Sequence, residues 1–187
     1  MRKPPKQILR AEAWESFRNR YESADDRTCA ILCASYVDDC LFILTQDALL
    51  GSGKARDGLL SDMMPLSSFS ARIKLAYCLN IIHDTVFADL NGIREIRNAF
   101  AHQVSDLSFA KDPIRSKCLG LVFPEDYLTE DAYHLNNDPR QYFILTCAMF
   151  SSFFARPHGH YYKRAQACRS AMEQAHGDAN TDTEQAT

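Results

Sequence analysis

The sequence predicts an all-α fold, an antiparallel bundle of about six helices. Three observations carry this. Apolar residues recur at three-and-four spacing through several long segments. Seven glycines and seven prolines in 187 residues are too few for a turn-rich β fold. Several of the periodic segments also open on residues that cap helices.

The elements follow in order. "KQILRAEAWESFRNRYES" reads as a first helix, with Ile8, Leu9, Ala13, Trp14 and Phe17 on one face. Ser23 is the expected cap of the next helix, and Asp25 and Asp26 favour its first turn. That helix, "DDRTCAILCASYVDDCLFILTQDALL", places Ala30, Ala34, Val37, Leu41, Leu44 and Ala48 on a helical stripe, with Gly51 set to end it. "GSGKARDGLLSDMMP" is expected to be a loop. Its G-S-G-K is not a phosphate loop, because the lysine is followed by Ala55 and the full G-x-x-x-x-G-K-[ST] pattern is absent.

"LSSFSARIKLAYCLN" is the third helix, capped by Ser67 or Ser68, with Phe69, Ile73, Ala76 and Tyr77 on its apolar face. His83 and Asp84 form a tight connection, Asp84 capping a fourth helix from about Thr85 to about Val104. The stretch from Ser105 to Asn137 is less regular. There "CLGLVF" is expected as a short strand, and Pro113 and Pro124 interrupt any helix. "DPRQYFILTCAMFSSFFAR" begins well, with Asp138 as cap and Pro139 at the first helical position. Its Phe143, Phe150, Phe153 and Phe154 belong to a core or a dimer interface. "HYYKRAQACRSAMEQAHG" closes the bundle as an amphipathic helix ending at Gly177. Residues 1–176 thus form one domain, and 177–187 a polar, disordered tail.

Charge and cysteine usage narrow the function. The net charge is −3 and the isoelectric point about 6.1, with basic residues spread along the chain, which disfavours direct sequence-specific DNA binding. The seven cysteines are scattered and form no C-x-x-C, so neither a disulfide framework nor a zinc site is expected, and Cys29 and Cys33 read as small core residues. No cofactor or metal is expected. The charged N-terminus lacks the apolar stretch of a signal peptide, and no run approaches the roughly 18 apolar residues of a membrane helix. A cytoplasmic protein is the expectation.

One segment breaks the ordinary pattern. In "IREIRNAFAH", residues 93–102, each residue turns roughly 100° about the helix axis. Leu90, Val86, Ile93, Ile96 and Phe100 then share an arc of roughly 120°. Arg97 falls inside that arc. Asn91, Glu95, Asn98 and His102 share the adjacent polar face, with Asn98 and His102 neighbours one turn apart. A guanidinium among apolar groups needs a partner. Asp38 is the candidate for a structural Arg97–Asp38 ion pair. Alternatively, Arg97, Asn98 and His102 line a polar site at a cleft or dimer interface.

These residues carry two resemblances. "PLSSFSARIKLAYCLNIIHDTVFADLNGIREIRNAFAH", residues 65–102 and about a fifth of the chain, resembles the signature of the mannitol operon repressor family. "RNAFAH" also resembles the R-[polar]-x-x-x-H motif of HEPN domains, which are all-α, commonly dimeric, and in many cases metal-independent ribonucleases. The first resemblance implies a transcriptional regulator. The sequence shows no helix-turn-helix with a basic recognition helix, so regulation would run through contact with a protein partner, in a homodimer with a HEPN-like bundle. The second implies a catalytic set: Arg97 on the scissile phosphate, His102 as general acid or base at the 2′-hydroxyl, and Asn98 assisting. RNA would then be the partner. A third reading, a structural interaction module, would explain Arg97 by its ion pair alone.

Other candidates point to packing or solvent. His158 and His160 in "HGH" lack further ligands in a fixed frame. Tyr161, Tyr162, Lys163 and Arg164 form a small aromatic-basic cluster, which as RNA contact competes with plain amphipathic packing. Asp38 and Asp39 are adjacent on a helix and point apart, a poor acid–base pair.

Overall fold

A computed structural model describes residues 21–49, 53–61, 64–102, 106–122 and 138–155. Among them are six helices and no strand: α1 (Asp26–Ala48), α2 (Gly53–Leu60), α3 (Phe69–Cys78), α4 (Asp84–His102), α5 (Ile114–Leu119) and α6 (Pro139–Ala155). α1 is the hub. It packs against α3, α4 and α6, while α5 bridges α4 and α6, and α2 lies on α1.

The core sits where these faces meet. α1 contributes Cys29, Cys33, Val37, Cys40 and Leu41, and α4 contributes Val86, Leu90, Ile93, Ile96 and Phe100. Phe143, Cys147 and Phe150 come from α6. Phe109, in the α4–α5 connection, joins them, its ring centroid 5.1 Å from Phe100 and 5.4 Å from Phe143. Each such apolar side chain, fully buried, stabilises the fold by roughly 1.5–3 kcal/mol before entropy is counted.

α1 is buried on more than the expected stripe, because helices cover it on several sides. Tyr36, Phe42 and Ile43 are buried alongside Ala30, Ala34, Val37 and Leu41. By length and composition α1 is apolar enough to cross a membrane, contrary to the sequence expectation. Its most apolar window is 61% buried inside the protein, as befits a central core helix. Its cap is Asp25 rather than Ser23: the Asp25 carboxylate accepts the Thr28 N–H at 3.0 Å. The Thr28 hydroxyl also donates to Asp25 at 2.6 Å, and this bond, with the one from the Thr28 N–H, holds the Asp25 carboxyl below its ordinary range.

α2 corrects the expected loop. Two glycines in eight residues weaken its intrinsic preference, but Leu60 is buried with Phe42 and Ile43, and that contact selects the helix. α3 is capped by Ser68, whose hydroxyl accepts the Ala71 N–H at 3.1 Å. It ends at Cys78, and Asn80 just beyond adopts the left-handed conformation at φ 55°, with the Ile81 N–H returning to the Ala76 carbonyl. Tyr77 departs from the expected apolar face. It is 42% exposed, its ring lies 4.5 Å from Phe87, and its hydroxyl donates to Asp84 at 2.6 Å.

α4 begins at Asp84 itself, and His83 supplies the first carbonyl, which accepts from Phe87 N–H. No strand forms over the described part of "CLGLVF", residues 118–122. Cys118 and Leu119 close α5, and Pro113 caps that helix instead of interrupting one. A carboxylate then anchors the chain: Asp89, buried in α4, accepts the Val122 N–H at both oxygens, 3.1 and 3.0 Å. Gly92 permits the close approach, since a Cβ there would lie 2.9 Å from Leu121 Cδ2. α6 starts as expected, with Asp138 accepting the Arg140 and Gln141 N–H groups at 3.0 and 3.2 Å. Arg140 also donates to the Tyr21 and Ala24 carbonyls at 2.9 and 2.5 Å, tying α6 to the chain before α1.

The expected helix over 6–23 is described only at its end, where Tyr21 and Glu22 are helical. Pro124, the "HGH" turn, the Tyr161–Arg164 cluster, the last amphipathic helix and the tail lie outside the described residues.

The cap assignment has a direct test by urea denaturation. Asp25→Ala is expected to cost about 1 kcal/mol, while Ser23→Ala stays within about 0.5 kcal/mol.

Candidate functional site

Asp38 faces α3, and its partner is Arg72, not Arg97. Arg72 Nε donates to Asp38 Oδ1 at 2.8 Å and Nη2 to Oδ2 at 2.6 Å, a bidentate pair. Nη1 donates to the Ser67 and Leu66 carbonyls at 2.6 and 3.3 Å. The guanidinium carbon lies 5.6 Å from the centroid of the Phe42 ring. Arg72 is 2% exposed and Asp38 23%, so the arginine is the enclosed member and the carboxylate keeps an edge toward solvent. The expected Arg97–Asp38 ion pair is therefore corrected. Asp38 has two oxygens, and one fork-shaped guanidinium fills both.

Sequence reasoning missed Arg72. The signal was present: on α3 it lies about 40° from Ala76 by the same wheel that singled out Arg97. It is also the arginine of the Ser-Phe-Ser-Ala-Arg stretch.

Arg97 still influences the pair. Burial pushes the Asp38 carboxyl up, Arg72 opposes by charge and hydrogen bonding, and Arg97 adds a weaker pull in the same direction as Arg72. Asp39, half-buried on the next position of α1, is pushed up to about 6. Burial is the main cause, the Asp38 charge adds to it, and Arg72 opposes.

α4 carries the other candidates. Arg97 is half-buried, and its Nη1 donates to Asn98 Oδ1 at 3.0 Å. Among the described residues no carboxylate lies within ion-pair distance of Arg97. Asn98 is thus engaged by its chain neighbour. His102 is exposed at the helix end, and no hydrogen bond joins it to Asn98. Arg94 Nε donates to Asn91 Oδ1 at 3.4 Å, and Glu95 forms an exposed ion pair with Lys117 of α5. Lys117, chiefly through that hydrogen bond, holds the Glu95 carboxyl below its ordinary range.

Six of the seven cysteines are among the described residues, where they are free: Cys29, Cys33, Cys40, Cys118 and Cys147 buried, Cys78 exposed. The Cys29 and Cys33 sulfurs are 4.0 Å apart. Burial pushes the Cys33 and Cys147 thiols up, and those of Cys40 and Cys118 up to about 12, so these are inert core groups. Among the described residues no group of three or more His, Cys, Asp or Glu side chains is placed to hold a metal ion.

Two outcomes test this geometry. Arg72→Lys keeps the charge but loses the fork and the carbonyl contacts, and is expected to cost about 2 kcal/mol in urea denaturation. Arg97→Lys is expected to stay within about 0.5 kcal/mol. The second outcome concerns pH. A carboxyl near 3.8 when unfolded and about 6 when folded binds its proton more tightly in the native state. Its contribution is complete below about pH 4 and is lost as pH rises through about 6. Asp39→Asn should therefore be more stable than the parent by about 1–2 kcal/mol at pH 7, allowing for solvent screening, and gain nothing at pH 3.5.

None of the curated proteins compared matches the chain. Among solved structures, a chain of the X-ray structure of the MtlR–HPr complex from Escherichia coli has the same fold. The TM-score is 0.59 at 18% identity, covering 77% of this chain and 99% of that one. The sequence model of the family described as mannitol repressor, MtlR, matches residues 52–152, which take in all of α2 to α5 and most of α6. That match spans more than half of the sequence, and the chain belongs to the mannitol repressor MtlR family.

Proposed function

We propose that this protein is a mannitol repressor-like transcriptional regulator that acts through protein–protein contacts and carries no DNA-reading motif of its own. The observation that carries the reading is the likeness to a family member solved in complex with a protein, HPr. The charge of −3 and dispersed basic residues agree with a protein partner rather than a DNA backbone. On this reading the partner is an HPr-like protein, and the regulator works in the cytoplasm as a homodimer.

One observation favours a second reading. Arg97 is not consumed by a carboxylate among the described residues, and it sits on the same helix as exposed His102. A metal-independent HEPN-type ribonuclease would use Arg97, Asn98 and His102 in that state. The third reading, a structural module, loses its motive, since the buried ion pair belongs to Arg72.

Titration calorimetry with HPr from the same organism, paired with an RNA cleavage assay without metal, separates these readings. The regulator predicts saturable HPr binding at about micromolar concentration and intact RNA. RNA cleaved to 2′,3′-cyclic phosphate ends by the parent and not by His102→Ala, with no HPr binding, would replace it with the ribonuclease.

A further inference from the structure

α2 stands apart from the rest of the bundle. Its one buried side chain, Leu60, packs with Phe42 and Ile43 in a small cluster separate from the main core, flanked by Leu49 and Leu66. Gln46 of α1 donates to Asp57 of α2 at 3.2 Å, and the Leu66 N–H donates to the Leu59 carbonyl at 3.2 Å. Both are neutral or half-exposed contacts that water can replace at little net loss. Gly53 and Gly58 disfavour the helix relative to alanine, and packing does not demand either, since a Cβ at each would meet nothing within 4 Å. An eight-residue helix has little stability of its own without tertiary contacts. Leu59, meanwhile, is 42% exposed and Met64 41%.

The contrast with the neighbouring structure is sharp. Asp38 and Arg72 lock α1 to α3 through a bidentate pair that includes no residue of α2, although Phe42 and Leu66 touch both Arg72 and the cluster beneath α2. The main core of α1, α3, α4 and α6 shares no residue with the cluster beneath α2. Stability in such a fold is not uniform, and segments with few buried contacts open below the global transition.

We infer that α2 is a cover that opens as a unit while the rest of the bundle stays folded, uncovering Phe42 and Ile43 on α1. Leu60 is its fastening. The closed form hides an apolar strip on α1, and the open form presents it one turn beyond the Asp38–Arg72 pair.

Native-state hydrogen exchange of the full chain, read by segment, tests this with two variants. Leu60→Ala removes the fastening and should raise α2 amide exchange at least about tenfold. Ile96→Val weakens the main core without touching α2. It should raise exchange of the best-protected α4 amides about fivefold and leave α2 amides within about twofold of the parent. The inference is overturned if α2 amides respond to Ile96→Val by the same factor as α4, because α2 would then open only in global unfolding. It is equally overturned if Leu60→Ala leaves α2 exchange unchanged.

Discussion

A guanidinium that is 2% exposed has to be met on every side, and Arg72 is met by three parts of the chain. Asp38 comes from the middle of α1, the Leu66 and Ser67 carbonyls precede α3, and Phe42 stacks from the next turn of α1. Much of the bundle depends on this junction. It fixes where α3 crosses α1, and so where Ile73 and Ala76 enter the core. It places Ser67 and Ser68 so that the second can cap α3. It also sets the Phe42 ring against which α2 docks. A buried ion pair is weak evidence of net stability, since desolvation offsets much of the attraction, but losing one partner strands the other. The pair therefore acts more as a constraint on register than as a source of stability.

What could be read in the sequence follows from how local the signal is. Caps are local, and Ser68, Asp138 and Pro139 stand where their neighbours put them. The apolar face of α4 was also legible, because a long amphipathic helix repeats its message five times, in Val86, Leu90, Ile93, Ile96 and Phe100. The identity of the enclosed arginine was not. A helical wheel gives direction but no depth, and Arg72 and Arg97 both lie beside apolar neighbours. What separates them is which helix carries the facing carboxylate, a tertiary fact. α2 was missed for a related reason: its glycines argue for a loop, and only the Leu60 contact with α1 outweighs them. The strand expected at "CLGLVF" failed because α5 takes its first residues, the Leu121 N–H turns back to the Cys118 carbonyl, and Asp89 captures the Val122 N–H.

Freeing Arg97 from a structural duty changes how the α4 surface is understood. Its charge is held half-buried beside Asn98, near enough to Asp38 to be felt and too far to be neutralised by it. Elsewhere on the same helix are Arg94, the Glu95–Lys117 pair and exposed His102. Mixed charge along a helix suits recognition of a protein surface, where charged rims set specificity and encounter rate more than affinity. The same helix would be the one an RNA backbone met, which is why the two functional readings share residues.

The division of labour between the two arginines is best measured by a pair of double-mutant cycles on folding stability. One combines Asp38→Ala with Arg72→Ala, the other Asp38→Ala with Arg97→Ala. The geometry predicts a coupling of about 2–3 kcal/mol in the first cycle and less than about 0.5 kcal/mol in the second. A larger coupling to Arg97 than to Arg72 would contradict the account, since Arg97 would then be the residue on which the junction of α1 with the rest of the bundle depends.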